Sequence, residues 1–125
     1  MKIITEQEHQ AASKVNTLEL ANDVDPRTLD LNGITRIDLQ VPAFTDGRAY
    51  SQAFLLRRRL RFAGELRATG DVLIDQLMQM QRTGFDVAVL AEGVDASAAQ
   101  RQLDRYAGFY QGSAMDTQPL FAKVA

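Results

Sequence analysis

The chain has 125 residues, 46% of them apolar and 24% charged, and a formal net charge of −2. That length sets one domain with a single core, and the composition is that of an ordinary globular protein. With no cysteine, the sequence excludes disulfides, thiolate metal sites, iron–sulfur ligation and a cysteine nucleophile.

A single histidine, His9, sits in a polar amino-terminal segment and argues against multi-histidine metal sites and histidine-based catalysis. Chemistry then falls to carboxylates, arginines, hydroxyls or a borrowed cofactor; no cofactor signature is evident, and no metal site is expected. No apolar run is long enough to span a bilayer, and MKIITEQEHQ lacks the apolar centre of a signal peptide, so cytoplasmic residence is expected. Charge is uneven: residues 44–84 carry net +3 between two acidic flanks. That excess attracts anions but falls short of a nucleic-acid footprint.

In chain order, Thr5 and Glu8 fit a capping box, although the polar segment behind them supports only a marginal helix. Residues 17–21 alternate as a strand. Asp25-Pro26 is a cap followed by proline at the first helical position, which predicts a short turn of helix over 26–31. Residues 34–41 place Ile37, Leu39 and Val41 on one face and Arg36, Asp38 and Gln40 on the other, a strand closed by Pro42.

Tyr50, Ala53, Phe54, Leu56 and Leu60 recur at helical spacing, which favours a helix capped by Thr45 or Asp46 over a hairpin at Asp46-Gly47. Gly64 breaks that helix, residues 65–69 form a short strand, and Asp71 caps a second helix that stops at Gly84. Residues 85–90 are the most apolar strand. Asp95 or Ser97 caps a third helix striped by Ala99, Leu103, Tyr106, Ala107 and Tyr110.

Strands alternating with helices predict an α/β domain of repeated βα units, with about four mostly parallel strands and three main helices. The domain spans 17–112, between a variable segment, 1–16, and a carboxyl-terminal extension, 113–125, whose Leu120-Phe121 suits docking on a partner. Parallel strands are normally buried on both faces. Here Asp38, Gln40, Glu65 and Arg67 occupy the second face, so it is either solvated or covered by another chain, and a homodimer is expected.

Ligands of open parallel sheets bind beyond the carboxyl ends of the strands. That edge collects Asn22, Asp23, Asp46, Gly47, Arg48, Ser51, Gly70, Asp71 and Glu92. Arg48 can fork onto an oxyanion, and Asp71 or Asp75 can act as acid or base. Simple capping is the plainer role for Asp46 and Asp71. Gly47 and Gly70 belong to no phosphate-binding pattern, and the run Arg57-Arg58-Arg59 with Arg61 reads as a solvated helix face. Asp75-Gln76 is the polar pair hardest to dismiss, lying one turn inside an apolar helix.

The motifs Phe44, Asp46-Gly47-Arg48 and Tyr50-Ser51, then 64–68, 70–73 and 75–77, then 84–86, resemble a bacterial family filed as domain of unknown function 934. Asp25-Pro26 resembles it too. The likeness covers about 17–112. Ala49 and Thr83 depart from it, standing where the family often has glycine and cysteine.

The family is described as an oxidoreductase or accessory protein linked to sulfite reduction, because its genes lie beside those for assimilatory sulfite reductase. The resemblance therefore implies an accessory role in sulfur metabolism with sulfite reductase or another sulfur-assimilation protein as partner. The 44–76 surface would make the contact or bind an anion, using Asp46, Gly47, Arg48, Tyr50, Ser51, Arg67, Gly70 and Gln76. A small enzyme acting on an anionic metabolite is the alternative, with Arg48 and Arg67 binding charge and Asp71 or Asp75 handling protons. Neither nucleic acid nor membrane is an expected partner.

Overall fold

Period-two alternation in 36–41 and 65–70 divides the sheet into an apolar and a polar face, and the rest of the chain is arranged around that division. A computed structural model describes residues 1–42, 47–91 and 93–107. The strands are β1 (Lys2–Thr5), β2 (Thr17–Leu20), β3 (Arg36–Val41), β4 (Glu65–Gly70) and β5 (Val87–Leu90). They form one sheet in the order β1-β5-β4-β3-β2, and every pairing is parallel. The helices are α1 (Glu6–Ala11), α2 (Arg48–Phe54), α3 (Leu77–Thr83) and α4 (Ala96–Ala107). The α/β architecture is the expected one, with one strand more than the sequence indicated.

That extra strand is β1, which pairs with β5 from Lys2↔Val87 to Thr5↔Leu90. The Thr5–Glu8 capping box forms, and it turns the chain directly from β1 into α1. The Asp25-Pro26 pair opens a 3-10 turn at Pro26–Thr28, where the Arg27 guanidinium holds the Asp25 carboxyl below its ordinary pKa.

Leu20, Ile37, Leu39, Leu66, Ala68, Ala88 and Leu90 point to one face, where they pack with Ala53 and Leu56 of the α2 segment, Leu77 and Met80 of α3, and Ala99 and Leu103 of α4. Removing one such fully buried leucine side chain from water contributes roughly 2 kcal/mol. On the opposite face Ile4, Val87 and Val89 form a smaller buried apolar cluster.

Three local expectations are corrected. Gly47 occupies the N-cap of α2; Phe44, Thr45 and Asp46 lie outside the described residues, as do Glu92, Tyr110 and the extension 113–125. Asp71 does not cap the second helix. A 3-10 turn, Ile74–Gln76, precedes α3, and Gln76 Oε1 accepts from Leu73 N instead. Phe54, assigned to the apolar stripe, is 49% exposed.

Gly84 ends α3 in the left-handed region, and Asp95 Oδ1 accepts from Ser97 N and Ala98 N at the start of α4, both as expected.

The arginine run departs further. Beyond Phe54 the helix widens into a π turn, Leu55–Arg59, with Leu60 N donating to Leu55 O. Arg57 is not solvated: its side chain is 6% exposed. Arg58, Arg59 and Arg61 are exposed.

Candidate functional site

The polar face of the sheet carries the densest set of buried charges. Strand register aligns Glu19 with Asp38 and Asp38 with Arg67, and in the neighbouring row Thr17 with Arg36 and Arg36 with Glu65. Arg36 grips Asp38 through both ends of its fork, Nε to Oδ1 at 3.0 Å and Nη2 to Oδ2 at 3.1 Å. Its Nη1 reaches Ser13 O at 3.1 Å, tying the α1–β2 connection down onto the sheet. Arg67 Nε donates to Glu65 Oε2 at 2.7 Å.

His9 is the buried residue of α1 and comes down onto this row. Arg67 Nη1 lies 2.9 Å from His9 Nδ1. Guanidinium has only donors, so Nδ1 is the acceptor and the ring proton sits on Nε2. That Nε2 faces Asp38 Oδ2 at 3.8 Å, beyond hydrogen-bond range. A cleft of about 410 Å³ opens above these groups, with Glu6, His9, Lys14, Glu19, Asp38 and Thr69 in its wall. The sequence showed the polar alternation of β3 and β4 but gave no sign that the lone histidine would land on it.

The residues singled out from the sequence are divided between regions. Gly47, Arg48 and Ser51 are exposed at the start of α2. Tyr50 turns inward, edge-on to Phe85 at 6.3 Å, with its hydroxyl buried and without a hydrogen-bond partner among the described residues. Burial raises its pKa.

Gly70 ends β4 with φ at +99°, and Asp71 N donates to Val41 O at 2.7 Å. Arg67, three residues earlier in β4, is on the polar face in the His9 cluster. Asp75 is exposed and lines a separate cleft between α3 and α4, about 440 Å³, together with Met78, Arg82 and Gln102. The structure thus gathers Gly47, Arg48 and Ser51 in one place, and Arg67 and Asp75 in two others.

Gln52 was not anticipated. It is 4% exposed, and its Nε2 donates to Ala21 O at 2.9 Å and Val24 O at 2.8 Å, fixing the loop after β2 against α2. Its position one residue after the exposed Ser51 was the signal available.

Residues 17–121 match the family described as Bacterial protein of unknown function (DUF934). The chain belongs to this family. It matches no curated protein and no solved structure. The DUF934 span begins at β2, so it contains Asp38, Arg67 and the whole 44–76 segment, whereas His9 and α1 precede it. Among the described residues of this DUF934 protein, no group of three or more histidines and carboxylates is placed to hold a metal ion. No described helix is long and apolar enough to cross a membrane.

Proposed function

We propose that this DUF934 protein is an accessory or partner protein of assimilatory sulfite reduction that works by docking through its 44–76 surface. The sulfur assignment rests on the family resemblance. The observation that carries the docking reading is the exposure of Phe54 and Leu73, two of the three large apolar side chains that stand out in solvent among the described residues. Both belong to the segment that exposes Arg48 and Ser51. Exposed aromatic and arginine side chains are what protein interfaces favour.

An anion-binding element of the same surface is supported by Gly47. It caps α2 without a side-chain acceptor, so the first amides of the helix receive no side-chain cap from it. The test is co-purification of tagged protein with sulfite reductase from cells grown on sulfate, compared with the Phe54→Ser and Arg48→Ala variants. Capture of the reductase by the parent and its loss in the variants is expected. Equal recovery from parent and variants would sink the docking surface.

A second reading, a small enzyme acting on an anionic metabolite, draws on the α3–α4 cleft, where Asp75 and Arg82 line one cavity. Under it, Asp75→Asn abolishes a turnover that Phe54→Ser leaves untouched.

A further inference from the structure

The cleft over the polar face has the chemistry of a ligand site that neither the family assignment nor the docking at Phe54 and Leu73 uses. Its charges are balanced except for one. Arg36 neutralises Asp38, and Lys14 Nζ lies 3.2 Å from Glu19 Oε1. Glu65 neutralises Arg67 behind the wall. Glu6 instead accepts from the neutral amide of Gln10 at 2.7 Å, and no cation pairs with it among the described residues. The wall therefore presents one uncompensated negative charge, which repels oxyanions and attracts a single positive group.

The second observation is His9. Its side chain is 8% exposed, sits in the wall, and keeps Nε2–H without a hydrogen-bond acceptor in range among the described residues. Because Arg67 holds Nδ1 as an acceptor, Nε2 carries the proton and has no lone pair to offer a metal. In this state the ring offers the cleft a donor, not an acceptor.

We propose that the cleft binds a small primary amine that also bears a hydrogen-bond acceptor, of the amino-alcohol class. The ammonium pairs with Glu6, and the ligand's oxygen accepts from His9 Nε2–H. Burying Arg36, Asp38 and His9 on a sheet face that Ile4, Val87 and Val89 cover with apolar atoms next door is costly for stability alone. A polar floor for a ligand accounts for it.

The chain's single histidine makes the test direct, since the imidazole nitrogen and carbon-bound proton resonances can belong only to His9. Full-length protein is titrated with ethanolamine, glycerol and sulfate, following those resonances. A saturable shift with ethanolamine, absent with glycerol and sulfate and weakened at least tenfold by Glu6→Gln, is the expected result. Asp104→Asn, an exposed charge on α4, serves as the control and leaves the titration unchanged. The proposal is overturned if ethanolamine produces no saturable shift, if sulfate produces the same one, or if Glu6→Gln binds as tightly as the parent.

Discussion

Arg57 and Asp86, 29 residues apart, are joined by a charge-assisted hydrogen bond from Nη2 to Oδ2, and the same carboxylate oxygen accepts Leu66 N. The rest of the guanidinium donates to the carbonyls of Gly84, Phe62 and Gly64. One side chain on the widened end of α2 thus fastens the entry to β4 and the approach to β5. Arg57→Ala should destabilise the fold by about 3 kcal/mol, because several carbonyls and a carboxylate lose their donor together. Arg57→Lys should recover little of this, since an ammonium cannot reproduce the fork. Urea unfolding of both variants checks it; wild-type stability in Arg57→Lys would contradict the fork geometry.

Gly84 serves the same arrangement from the other side. A Cβ there would meet Arg57 Cγ at 2.6 Å, on a backbone with φ at +109°. Gly84→Ala should therefore cost more than the 1–2 kcal/mol or so expected of left-handed strain alone. Combined with Arg57→Ala, the two losses should be clearly less than additive, which a double-mutant cycle measures.

In the polar cluster the direction of change depends on how many partners are removed. Asp38→Ala should cost about 3–5 kcal/mol, because it leaves Arg36 buried without its carboxylate. Arg36→Met with Asp38→Leu removes both charges and should be near neutral or stabilising. Thermal melts of the single and double variants at matched pH decide between them, and a double variant weaker than Asp38→Ala would refute the desolvation argument.

Tyr50 gives a pH-dependent prediction. Its buried hydroxyl lacks a partner among the described residues and burial raises its pKa, so the folded state favours the neutral phenol. Stability from this group is complete below the ordinary tyrosine pKa and is lost as pH rises through the raised folded value. Tyr50→Phe should keep the edge-on contact with Phe85, equal or exceed parent stability at neutral pH, and flatten the alkaline limb of the stability profile. A marked loss of stability at neutral pH would reveal a partner for the hydroxyl.

What could be read from the sequence follows the physical range of each signal. β3 and β4 were legible because alternation along 36–41 and 65–70 is a local property of strands. The end of α3 at Gly84 and the cap at Asp95 were legible for the same reason.

β1 was not, because four residues, Lys2–Thr5, carry too little pattern, and the strand exists through its distant pairing with β5. Phe54 was misplaced because the apolar stripe is read on an assumed helix face, whereas Ala49, Ala53 and Leu56 are the side chains that reach the core. The inward turn of Arg57 depends on acceptors at 62–64 and 84–86, and nothing within the arginine run announces them. His9 reached the candidate cleft by the same kind of long-range convergence.

The pairing of β1 with β5 also bears on how the molecule is made. Among the described strands β1 comes first in the chain, yet β5, its neighbour in the sheet, comes last. β2, β3, β4 and β5 can zip together in the order in which they emerge, each beside its predecessor. β1 must wait, and α1 with His9 waits with it. Closing so long a loop is an entropic cost met late in folding. The polar face is therefore completed only after the helical layer on the other side has its strands in place, and a nascent chain halted before β5 would carry Arg36, Asp38 and Arg67 open to water.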